Sequence, residues 1–185
     1  MRLALLILIA TLFVKAAAAT PVQWPLSEGG NGHFYEFVDM HGVLWTQARD
    51  SAAAMTWSGT SGHLATLTSQ AENDWVCNTL NPGPAWLGGY QAADAPSPSV
   101  GWHWVTGEPW AYTNWYPGEP NDGGTGNEWA LHFELGRPSC SWNDLDGGDV
   151  EQALHNNVTG FVVEYENFPV PVENTTWGRI KSLYR

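Results

Sequence analysis

Glu119, Asn121 and Glu128 fall close together in EPNDGGTGNE, and Asn143 with Asp144 follows in SWND. Between the two clusters runs the strand-like segment WALHFEL. The five residues offer side-chain oxygens, with a backbone carbonyl as a further donor, and neither sulfur nor imidazole. A hard cation takes such a set: calcium accepts about six to eight oxygens, whereas zinc favours nitrogen and sulfur. Three carboxylates around a divalent ion leave a formal charge of about −1, and two neutral amides complete the shell. A cis bond at Pro120 would hold Glu119 and Asn121 on one side. Glycines at 118, 123, 124 and 126 let the chain curl until Glu128 reaches the same ion. Asn or Glu bound through one oxygen keeps a donor or acceptor in reserve, so two vicinal sugar hydroxyls could engage ion and side chains together. Asp, Asn and Gly are also ordinary turn residues, so either cluster alone means little. Their order, with a strand between, carries the reading.

The elements that must position these residues fit one domain of 185 residues. MRLALLILIATLFVKAAAAT reads as a secretory signal peptide over 1–19, with a retained N-terminal anchor as the competing reading. No second apolar run of spanning length follows, so no membrane span is expected in the mature chain. Formal charge is −12, falling to about −14 once 1–19 is removed. So acidic a chain has no basic face for nucleic acid. Cys77 and Cys140 are too few for a disulfide scaffold and lack CxxC spacing; in an exported protein one bridge and two free thiols both stay open. Twelve tryptophans and twenty glycines suit a loop-rich domain built on aromatic plates.

HFYEFVDM (33–40) reads as a first strand. TQARDSAAAMTW places Ala48, Ala52 and Met55 on one face and predicts a helix from a Thr46 cap to Trp57. HLATL is extended, and Ser69 with Glu72 has capping-box spacing before a helix over 70–80 whose apolar face is Ala71, Trp75, Val76 and Leu80. AWLGGY (85–90) reads as a buried strand. Residues 91–128 are turn-rich, with short strands at 102–105 and around 113–115. WALHFEL (129–135) and GFVVEYE (160–166) are strands, and LDGGDVEQALHNN is a polar segment. Helices early and strands late predict an α+β fold. Residues 167–185 read as a linker and basic tail outside the domain, either a sorting element or a solvated end. The Asn157-Val-Thr and Asn174-Thr-Thr sequons matter only in a glycosylating source.

The succession HLATL, SQAEN, WLGG, WHWVTGE, YTNW, EPN, WND and GFVVEYE resembles a C-type lectin-like domain over 32–166. The resemblance implies an α+β domain of two helices and a small, mostly antiparallel sheet with a long ligand-binding loop. It implies Ca2+ held by Glu119, Asn121, Glu128, Asn143 and Asp144, and carbohydrate bound by Glu119, Asn121, Glu128 and Asn143. EPN accompanies mannose-type sugars in that family and QPD galactose-type. The family's usual disulfides would fall at Ala54 or Met55, Val163 and Ala130, none of them cysteine, which implies a bacterial-like variant lacking those bonds. At the auxiliary calcium site Gln91, Ala95 and Trp129 stand with only Asp122 acidic, so one principal calcium is expected.

The resulting expectation is a secreted or cell-surface lectin for glycans of mannose, fucose, glucose or N-acetylglucosamine type. A homo-oligomer would supply the avidity that single weak sites lack. The alternative is an adhesion or protein-binding module in which calcium only structures the loop. An enzyme is not expected: ligated carboxylates are held ionised and cannot serve as a general acid, and HExxH, GxSxG, P-loop and GxGxxG motifs are missing.

Overall fold

The computed structural model describes residues 20–123, 127–134 and 140–166. The signal-peptide reading, the tail, Gly124, Gly126 and the end of the WALHFEL strand lie outside those residues. Strands are β1 (Val22–Gln23), β2 (Phe34–Asp39), β3 (Thr56–Trp57), β4 (Thr60–Ser61) and β5 (His63–Leu64). They continue with β6 (Ala85–Gln91), β7 (Trp102–Trp104), β8 (Ala130–Phe133), β9 (Trp142–Leu145) and β10 (Gly160–Tyr165). Helices are α1 (Trp45–Ala54), α2 (Gln70–Leu80) and α3 (Val150–His155). The main sheet runs β1-β2-β10-β6-β8-β9, with β5 on β10 and β7 on β6. Every pairing is antiparallel except β10 with β6.

The α+β class holds, but the described residues form three α-helices where two are expected. The third, α3, hides in the polar segment because it is short and leaves Val150 and Leu154 exposed. Its signal is Asp149, whose carboxylate accepts from the Glu151 and Gln152 N–H groups at 2.8 and 3.2 Å. α1 starts one residue before Thr46 and stops at Ala54 rather than Trp57. Thr56 and Trp57 pair instead with Ser61 and Thr60 across Ser58 and Gly59, both at positive φ, the turn that favours a two-residue hairpin. α2 has its expected span, with Ser69 Oγ accepting from Glu72 N–H at 3.2 Å. Its buried face is rotated: Ala71 is exposed, while Glu72 and Asn73 are buried.

Hydrogen bonds make that rotation tolerable, since a buried polar group costs free energy only when it is left unmatched. Glu72 Oε1 accepts from Tyr35 Oη at 2.7 Å and Asn31 Nδ2 at 2.8 Å, and Oε2 from Thr68 N at 2.7 Å. Asn73 Oδ1 accepts from Trp142 Nε1 at 2.7 Å, tying α2 to β9. A disulfide joins Cys77 to Cys140 on the same side of the fold, so the chain is not disulfide-free. Val163 and Ala130, two of the positions where the sequence resemblance would put cysteines, are buried in one core cluster with Met55 packed on it. A second cluster gathers Trp102, Trp104 and Trp142, with Trp110 and Trp115 against them. The expected strand at 113–115 reduces to a single bridge from Trp115 to Trp142. That bridge and the Trp142 N–H bond to Asn114 O at 2.8 Å fasten the long loop to β9.

Candidate functional site

β8 and β9 pair with Leu131 opposite Asp144 and His132 opposite Asn143, which brings the WND segment beside the residues leading out of the loop. Asp144 is fully buried. Its Oδ1 accepts from Asn121 N–H at 3.1 Å and its Oδ2 from Asp122 N–H at 2.9 Å, so one carboxylate holds the loop backbone at two successive residues. Glu128, also buried, accepts from Gly123 N–H at 2.7 Å through Oε2, and its own N–H donates to Asp122 Oδ1 at 2.7 Å. The Glu119–Pro120 bond is cis.

Gly123 marks the point where the two sides meet. A Cβ there would lie 2.6 Å from Asn121 Oδ1 and 3.3 Å from Glu128 Oε2, so a side chain at this position would push the Asn121 amide out of its place beside Glu128. Electrostatics shows the same convergence. Burial, then the charge of Asp144, with Glu119 and Asp122 adding to it, raises the Glu128 carboxyl to about 7 against the Gly123 bond. Burial likewise raises Asp144, opposed by the loop N–H groups. Buried carboxylates that repel one another are stabilised by a cation among them.

Asn143 is positioned differently. His132 is buried and held well below its usual value, to about 4, by that burial, so its ring is neutral. Its Nδ1 faces the Phe133 carbonyl at 2.7 Å and must donate there, which leaves Nε2 as an acceptor. Asn143 Nδ2 lies 3.2 Å from that Nε2 and donates to it, so the amide oxygen is turned away from the ring. His132 is a positioning residue; from the sequence it is expected only to be a surface or core histidine, and its place on a strand next to an apolar pair is the only signal of more. The structure therefore brings Glu119, Asn121, Glu128 and Asp144 into one neighbourhood and sets Asn143 on the adjacent strand position. Asp122, read from sequence only as an auxiliary acid, is the junction between them. Of the auxiliary positions, Gln91 braces the following turn through Nε2 to the carbonyls of Ser97, Pro98 and Val100 at 2.9, 3.0 and 2.9 Å. Trp129 Nε1 donates to Asp146 at 3.2 Å.

This architecture is that of the C-type lectin-like fold. The cow CD23 C-type carbohydrate-recognition domain, determined in the presence of GlcNAc2Man3 oligosaccharide, superposes with a TM-score of 0.58 at 26% identity, covering 74% of this chain and 90% of that one. Mouse low affinity immunoglobulin epsilon Fc receptor is 35% identical over 100 residues, 54% of this chain and 26% of that protein. Halomucin of Haloquadratum walsbyi is 40% identical over 93 residues, 46% of this chain and 1% of that protein. The chain thus spans only a small part of the length of these two curated relatives. No protein-family model matches it. No helix among the described residues is long and apolar enough to cross a membrane.

Proposed function

We propose that this domain binds glycans in a calcium-dependent manner, with Glu119, Asn121, Glu128, Asn143 and Asp144 as the ion's ligands. The observation that carries the reading is the shared cradle at Gly123, where Asn121 Oδ1 and Glu128 Oε2 come together in a loop whose Asn121 and Asp122 N–H groups are held by the buried Asp144. An all-oxygen set of mutually repelling carboxylates fits a hard divalent cation. When bound, calcium supplies positive charge and coordination positions that two vicinal hydroxyls can take. Glu119, Asn121, Glu128 and Asn143 then orient those hydroxyls: carboxylates accept from them and amide nitrogens donate to them. The EPN triplet assigns sugars of mannose, fucose, glucose or N-acetylglucosamine type. One shallow site of this kind binds a monosaccharide at about millimolar strength, about −4 kcal/mol, so display in several copies on a secreted or cell-surface protein is part of the reading.

Binding is tested by a calcium titration with and without methyl α-mannoside, read by tryptophan fluorescence. Trp142 adjoins Asn143, and Trp129 adjoins Glu128, so both report on the site. Mannoside should tighten calcium binding, and calcium should be required for retention on immobilised mannose. Equal retention in a chelator would refute the proposal. The mouse relative's name, an immunoglobulin Fc receptor, favours a second reading in which the same loop, ordered by calcium, grips a protein. Displacement of a natural partner by free mannose separates the two, since a protein contact made without the sugar site is indifferent to it.

A further inference from the structure

Beside the proposed ion site lies a cleft of about 940 Å³, between α1, the end of β6 and the chain leading into β8. Half-buried Tyr90 and Trp129 line it as aromatic walls, backed by the buried Trp45, which meets Trp129 edge-on at 5.4 Å and lies tilted against Tyr90 at 5.9 Å. Asp122 and Asn127 form its margin toward the loop. Because Asp122 N–H also donates to Asp144 Oδ2, the cleft and the cation site share a residue. On the α1 wall stands Arg49, the only lysine or arginine among the described residues of a chain whose formal charge is −12.

Arg49 lies over the Trp45 ring at 5.7 Å. Its Nε and Nη2 both reach one oxygen of Asp50, at 2.8 and 2.7 Å. That pair is on the surface, with side chains 47% and 70% exposed, so solvent competes with it strongly. A guanidinium carries five N–H groups in a planar fork matched to carboxylates, and two of them account for the contact with Asp50. Across the cleft, Asp122 repels an anion. Arg49 is therefore the one cationic group of the described lining toward which a ligand carboxylate would turn, in competition with Asp50.

We infer that the cleft is a subsite for a second sugar residue that bears a carboxylate, a uronic acid linked to the sugar on the ion. This rests on the calcium-dependent reading above. The ring of that residue would lie against the aromatic wall, and its carboxylate would meet Arg49. The domain's ligand class is then an acidic heteroglycan.

The test is calorimetric titration of the calcium-loaded full chain with three probes: methyl α-mannoside, glucuronosyl-mannose, and the neutral glucosyl-mannose of the same linkage. Glucuronosyl-mannose should bind about two- to fivefold more tightly than its neutral analogue, the scale of one ion pair at a half-exposed guanidinium. Arg49→Gln should abolish the difference, and Asp50→Asn, which removes the competing carboxylate, should enlarge it. If methyl α-mannoside binds and the two disaccharides are equal, or the preference survives Arg49→Gln, the subsite is wrong while the calcium site stands. If methyl α-mannoside itself does not bind, the calcium reading fails and the subsite fails with it.

Discussion

Glu128→Gln should have opposite effects with and without calcium. Glu128 is only 7% exposed and is raised from 4.5 to about 7 by burial and by the negative charges of Asp144, Glu119 and Asp122. A carboxyl whose folded value lies above its unfolded one contributes stability that is fully present below about pH 4.5 and is lost as the pH rises through about 7. In a chelator at pH 8 the ionised group therefore weakens the fold, by a ceiling of about 3 kcal/mol for such a shift. Glutamine keeps an oxygen for the Gly123 N–H and removes the charge. It should stabilise the calcium-free domain, and half the ceiling would raise Tm by about 4 °C for a domain of this size. With calcium the order reverses. Wild type gains about 2.7 kcal/mol at a hundred times its Kd, and the variant, having lost a ligand, gains far less. Differential scanning calorimetry at pH 8, in chelator and in calcium, reads both signs. A variant less stable than wild type in chelator, or stabilised by calcium as much as wild type, would refute the idea that Glu128 is a strained carboxylate awaiting a cation.

Asn121→Asp should leave calcium binding measurable but weaken retention on immobilised mannose by about tenfold or more, because the amide donor to a sugar hydroxyl is lost. Gly123→Ala, whose Cβ would crowd Asn121 Oδ1 at 2.6 Å, should weaken calcium binding by about tenfold while shifting Tm little, as fluorescence titration and melting would show. Replacing Cys77 and Cys140 together by serine opens a link spanning 63 residues and should cost about 4 kcal/mol, seen as a lower midpoint in denaturant.

The sequence was legible where local and long-range demands agree. α2 combines a Ser69 cap, an apolar stripe and a following NPGP, and its span is found as expected. The buried strands β6 and β10 announce themselves as apolar runs. α3 and the β3–β4 hairpin were not legible, since each is too short for periodicity and is held by one cap or one turn. The face of α2 was misread because Glu72 and Asn73 are buried by partners far along the chain, Tyr35 and Trp142, which no local pattern encodes. At the site, oxygen chemistry pointed to the five residues, but not to Asp122 as their junction or to His132 as the group that turns Asn143. Both roles come from cross-strand register and backbone bonds, which fix only once the sheet is assembled.

β10, near the C-terminal end of the domain, is bonded to β2, β5 and β6. Tyr35 and Trp86 therefore cannot find their settled surroundings until residues 160–165 have been synthesised. A nascent chain gains little from folding its first half, and closure of the sheet waits on contacts separated by most of the domain's length, which makes it slow. The order of the strands thus makes the sheet's completion a late, collective step: β2 and β6 acquire their shared neighbour only when residues 160–165 are in place.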